Sequence, residues 1–152
     1  MQTRRAMMAD GARLAALLAA AGMLPAAAQA SWNEAAFDAR TLADAVKVLG
    51  GSTPQPSAEV AISGPDVAED GSAVPIGIST SLAGARRLLL LVEKNPVPLA
   101  AVFELTDAVD AAINTRVKMG QSSDVYAVAM TADGGVRYAR KEIRVTLGGC
   151  GA

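Results

Sequence analysis

Histidine is missing from this chain, cysteine occurs once in 152 residues, and aromatic side chains make up only 3%. Each shortage excludes a class of function. Without histidine there is no Ser-His or Cys-His nucleophile–base pair, no zinc site of the usual His/Cys kind and no histidine ligand for haem. One cysteine cannot close an internal disulfide, so it pairs between chains, binds something, or stays a free thiol. No basic block and no aromatic–arginine interleaving appear, and the formal net charge is −1. A nucleic-acid partner is therefore not expected. Neither a metal nor a cofactor is expected, and an autonomous enzyme is hard to assemble from this inventory.

Long apolar runs are also scarce. Residues Leu14 to Leu24 are rich in Ala and Leu but too short to span a bilayer. Arg4 and Arg5 precede them and Ala28-Gln29-Ala30 follows, which together make a signal peptide over residues 1–30 with cleavage near Ala30. Thr3-Arg4-Arg5 fits a twin-arginine export signal, which Ala6-Met7-Met8 matches only in part. The competing reading is an uncleaved anchor. Cleavage would remove Arg4, Arg5, Arg13 and Asp10, leaving 11 basic and 14 acidic residues, a net charge of −3.

The spacing after the leader predicts an N-terminal helix over residues 31–49, with Ser31 and Glu34 as a capping box. Ala35, Ala39, Leu42, Val46 and Leu49 would form its apolar face, and Gly50-Gly51 would stop it. Residues 50–57, with Pro54 and Pro56, read as a linker. Residues 58–147 read as about seven short strands. Val60–Ser63 is the first, and Glu69-Asp70-Gly71 makes a turn before alternating Val74, Ile76 and Ile78. The continuous run Leu88 to Val92 suits a buried central strand, and Leu99 to Leu105 follows the break at Asn95-Pro96. Ile113, Thr115, Val117 and Met119 alternate with polar residues, as a half-buried strand does. Val125 to Thr131 and the Asp133-Gly134 hairpin lead to the last strand. There Val136 and Tyr138 lie on even positions while Ile143, Val145 and Leu147 lie on odd ones, which predicts a bulge or bend between Ala139 and Glu142. The expected fold is all-β: an immunoglobulin-like antiparallel β-sandwich with an N-terminal helix.

Residues 148–152 read Gly148-Gly149-Cys150-Gly151-Ala152. Glycine has little intrinsic order, so Gly148, Gly149 and Gly151 make a flexible C-terminal arm for the thiol. At about 3.5 Å per extended residue, Cys150 reaches roughly 10 Å past Leu147. A structural cysteine would sit in an apolar periodic segment instead. Leu147-Gly148-Gly149-Cys150 imitates a lipoprotein box at the wrong end of a chain, and a prenylation box needs three residues after the cysteine. Two readings stay open. Cys150 is the covalent attachment point of a carrier, or it joins two copies of an exported interaction module through an intermolecular disulfide.

Asn95-Pro96-Val97-Pro98, Phe103-Glu104-Leu105-Thr106, Thr115-Arg116-Val117-Lys118-Met119 and Val145-Thr146-Leu147-Gly148-Gly149-Cys150-Gly151 carry a resemblance to a known family. They resemble SoxY, the sulfur-carrier subunit of the periplasmic SoxYZ complex. The family ends in GGCGG, where this chain has Ala152 in place of the last glycine. The resemblance implies a periplasmic carrier subunit, not an enzyme, paired with a SoxZ-like sandwich. A SoxAX-like cytochrome would couple thiosulfate to the thiol as Cys150–S–S–SO₃⁻. A SoxB-like hydrolase would release sulfate and leave a persulfide, and a SoxCD-like sulfur dehydrogenase, where present, would oxidise the outer sulfur. The thiolate is the reactive form, and a free cysteine has a pKa of about 8.5. A carboxylate two residues away disfavours it, and the nearest cations in sequence are Lys141 and Arg144.

Overall fold

The structure, a computed structural model, describes residues 33–147 together with Met8 and Arg13. Two short helices open the described stretch, α1 (Glu34–Asp38) and α2 (Leu42–Val48). Nine strands follow: β1 (Gln55–Pro56), β2 (Val60–Ser63), β3 (Val67–Asp70), β4 (Val74–Thr80), β5 (Ala85–Val92), β6 (Leu99–Glu104), β7 (Ala112–Val117), β8 (Ser123–Thr131) and β9 (Val136–Leu147). They form a β-sandwich. Its larger sheet has the order β1-β9-β8-β5-β6 with β3 also on β9, and its smaller sheet has the order β2-β4-β7.

The single helix expected over 31–49 is two helices. Asn33 caps the first, its side chain accepting from the Ala36 amide. Ala39 then turns extended, at φ −60° and ψ 136°. Thr41 starts the second, its Oγ1 accepting the Asp44 amide at 3.1 Å. Two good caps eight residues apart compete, and the chain uses both rather than propagate through Ala39. The buried face shifts accordingly: Ala36, Ala39, Ala45 and Val46 are buried while Ala35 is exposed. The stop at Gly50-Gly51 is a Schellman motif. The Gly51 amide donates to the Val46 carbonyl at 2.9 Å and the Gly50 amide to that of Lys47 at 3.1 Å, with Gly50 at φ +83°.

Two apolar clusters hold the structure, one on each face of the larger sheet. Between the sheets lie Val60, Val74, Ile76, Ile78, Leu88, Leu90, Val92, Val125, Ala127, Ala129 and Ile143. On the opposite face the two helices cover Leu89, Leu91, Leu99, Val128, Met130 and Val136. Strand β5 is therefore buried on both faces, as its unbroken apolar run predicts. Strand β7 shows the expected alternation, with Asn114 and Arg116 exposed and Val117 buried.

Strand β9 corrects the expected bulge. Its ladder with β8 runs without a register shift from Ser123↔Ile143 to Met130↔Val136. Even positions Val136 and Tyr138 face the helices, and odd positions Ala139, Ile143 and Val145 face the smaller sheet. The apparent change of phase is one continuous strand covered on opposite faces at its two ends. The register shifts lie elsewhere, between Leu90 and Leu91 of β5 against β6 and between Ala85 and Arg87 against β8. Two further segments differ from expectation. The stretch read as linker contains β1, and β3 precedes the turn at Gly71. Both pair with β9 in parallel, so the larger sheet is mixed rather than purely antiparallel.

Candidate functional site: the root of the cysteine segment

Gly148, Gly149, Cys150 and Gly151 lie outside the described residues, as do Ser31 and the proposed cleavage site at Ala30. What the structure does show is the frame from which the cysteine segment departs. Strand β9 carries the chain to Leu147 at one end of the sandwich. On one flank it is paired by β3, with Val67↔Arg144, Ala68↔Val145 and Asp70↔Leu147 in register. The Arg144 amide donates to the Asp66 carbonyl at 3.0 Å, and Thr146 Oγ1 donates to the Glu69 carbonyl at 2.9 Å.

The other flank is held differently. Strand β8 begins at Ser123, opposite Ile143, so its ladder stops short of Val145. The side chain of Ser122 takes over: its Oγ accepts the Val145 amide at 2.9 Å and donates to the Val145 carbonyl at 3.4 Å. The segment leading to Ser122 is tied to the β5–β6 loop. Asn95 Nδ2 donates to the Lys118 carbonyl at 2.7 Å, and Asn95 Oδ1 accepts the Gly120 amide at 3.3 Å. The Lys94 amide donates to Ser123 Oγ at 3.0 Å. Asn95-Pro96-Val97-Pro98 and Thr115 to Met119, two of the runs behind the resemblance, thus meet at the end of the sandwich where β9 finishes.

One ion pair lies at this root. Lys141 Nζ donates to Asp66 Oδ1 at 2.5 Å, and that contact, ahead of a weaker attraction from Arg144, holds the Asp66 carboxyl below its ordinary value. Asp70 is also lowered, first by the Ser72 amide and then by the Ser72 hydroxyl. Of the two cations nearest the cysteine in sequence, Lys141 is engaged with Asp66. Further along β9, Arg140 pairs with Asp124 at 3.2 Å, beside Tyr126 and Tyr138 with ring centroids 5.9 Å apart. Burial pushes the Tyr126 hydroxyl up, with Glu93 adding to the effect.

In the hollow at the opposite end of the sandwich, about 320 Å³ between Leu49, Arg87, Glu104 and Met130, the charged groups Arg87 and Glu104 have internal partners. Arg87 bonds Glu104 at 2.8 Å and the Leu49 carbonyl at 3.2 Å. Among the described residues no cluster of acidic side chains could hold a metal, and no helix is long and apolar enough to cross a membrane. Sequence reasoning located the cysteine but missed Ser122. The polar run Gln121-Ser122-Ser123 before an apolar strand is the only signal it leaves.

Comparison with known proteins fits this geometry. The chain is similar to the sulfur carrier protein SoxY from Chlorobium limicola f thiosulfatophilum, with 26% identity over 64% of this chain and 88% of that one, at a TM-score of 0.58. A superoxide reductase (neelaredoxin) from Ignicoccus hospitalis aligns with 20% identity over 57% of this chain and 78% of its own, at a TM-score of 0.49. No curated protein gives a significant match. The family model described as sulfur oxidation protein SoxY matches residues 45–150, a stretch that closes on the cysteine itself. With more than half its length inside that match, the chain belongs to the SoxY family of sulfur-oxidation carrier proteins.

Proposed function

We propose that this protein is a periplasmic sulfur carrier that holds thiosulfate-derived sulfur covalently on Cys150 and presents it to Sox enzymes during oxidation to sulfate. The observation that carries the reading is the family match extending to residue 150, joined to a strand that stays braced on both flanks through Val145. A braced root followed by a glycine-rich sequence suits a tethered thiol: the frame fixes where that segment begins, and glycine is the residue with the most permissive backbone.

The chain supplies attachment and presentation, and partners supply the chemistry. A thiolate is the nucleophile, and Lys141, one of the two cations nearest in sequence, is held by Asp66. Cationic groups inside partner channels would then activate it. The partners on this reading are a SoxZ-like subunit as constant companion, and a SoxAX-like cytochrome, a SoxB-like hydrolase and a SoxCD-like dehydrogenase as transient ones. Export would use the segment over residues 1–30, with cleavage near Ala30.

The test is Cys150→Ser in a reconstituted system oxidising thiosulfate. Turnover is expected to vanish while the thermal midpoint stays put, and surviving turnover would sink the carrier reading. Intact-mass measurement under non-reducing conditions separates the disulfide-linked module: sulfonate or persulfide adducts on the Cys150 peptide support the carrier, and a covalent dimer indifferent to thiosulfate opposes it.

A further inference from the structure

We propose that Ser122 is a positioning residue for the carrier arm, and that its side chain determines where the rigid part of β9 ends. The inference rests on the carrier reading above. Beyond Ile143, strand β9 has lost β8, and an unpaired flank near a strand end is where fraying begins. One hydroxyl oxygen fills that gap, accepting from the Val145 amide and donating to the Val145 carbonyl. It stands in for the backbone groups of the strand that is no longer there. Ser122 is itself part-buried, and the bend before it is clamped by Asn95 on the Lys118 carbonyl and the Gly120 amide.

The consequence is a tether length. With β9 ordered to Leu147, two residues stand between the frame and Cys150; were the loss of the Ser122 bonds to loosen the β3 pairing at Arg144, Val145 and Leu147 as well, so that β9 frayed to Ile143, six would. For a coil of glycine-rich composition, three and seven chain steps correspond to a root-mean-square reach of about 10 and about 15 Å. The local concentration of the thiol at a fixed partner falls as the −3/2 power of length, a drop of at most about fourfold. Ser122 would thus act on capture of the thiol by a partner and leave the chemistry after capture alone. That separates it from a residue that merely stabilises the sandwich.

The experiment compares Ser122→Ala and Ser122→Thr in the full mature chain. Hydrogen exchange should show Thr146 and Leu147 losing protection together with Val145 in Ser122→Ala, with strands β5 and β8 unchanged. In thiosulfate turnover the KM for the carrier should rise up to about fourfold at constant kcat, and Ser122→Thr, which keeps the hydroxyl, should restore both readouts. A loss of protection confined to Val145, a fall in kcat at constant KM, or an equal defect in Ser122→Thr would overturn the proposal. Cys150→Ser is run alongside: if it remains active, the carrier reading fails, while the exchange pattern still decides whether Ser122 holds the strand end.

Discussion

Lys141 and Asp66 meet across the seam between β3 and β9, with Nζ 2.5 Å from Oδ1. The pair closes this seam from the side-chain layer while the Asp66 carbonyl closes it from the backbone by accepting the Arg144 amide at 3.0 Å. One residue therefore fastens β9 twice, just ahead of the segment that carries Cys150.

That fastening makes the root acid-sensitive. The Asp66 carboxyl sits below its ordinary value of 3.8, chiefly through its hydrogen bond from Lys141. A carboxyl whose folded pKa is depressed contributes stability that is present above the unfolded value and is lost as pH falls through the folded one. The Asp70 carboxyl shifts in the same direction. Both groups are solvent-exposed, so the effect belongs to the seam more than to global stability. Exchange protection at Arg144 to Leu147 is expected to decline below about pH 4, and Asp66→Asn should flatten that decline. An acid profile identical in the variant would show that the pair contributes nothing.

Strand β5 makes a second prediction. Leu89 and Leu90 are neighbours in sequence, both fully buried, and they face opposite clusters. Each truncation to alanine should cost about 2–5 kcal/mol in urea unfolding. In a sandwich with one solvated sheet face, one of the two would be tolerated. A Leu89→Ala cost under about 1 kcal/mol would mean that the helices do not seal that face.

Gly51 makes a third. A methyl group there would stand 2.6 Å from Val46 Cγ1, 2.7 Å from Met130 Cε and 2.7 Å from Val136 Cγ2. Helix α2 would have to back away from the sheet, at about 1–3 kcal/mol. Gly50 has open space around its Cα and suffers only from its left-handed backbone, so Gly50→Ala should cost about 1 kcal/mol. Thermal unfolding of the two variants checks the order, and a reversed order would discount the packing argument.

Much of this was readable before the coordinates. The run Leu88 to Val92 announces a strand buried on both faces, and residues 113–119 announce one that is not. The lone cysteine stands out in the sequence by its setting of glycines. Most of what escaped reading shares a cause, which is dependence on neighbours distant in sequence. Val136 and Ile143 look out of phase until two covering layers are known. Strands β1 and β3 are two and four residues long and gain meaning only beside β9. The break at Ala39 follows from a local contest between caps at Asn33 and Thr41 that periodicity does not register. Ser122 is invisible for a related reason. A hydroxyl that substitutes for backbone leaves no periodic mark.

The seam between β3 and β9 joins residues 75 and 77 positions apart, and β9 is the last of the described strands to emerge during synthesis. It delivers Val136 to one cluster and Ile143 to the other. A chain cut short before β9 leaves both cores unsealed and exposes the apolar face of β8, which marks it for proteolysis. A deletion that reaches back through β9 therefore removes Cys150 and unseals both clusters together.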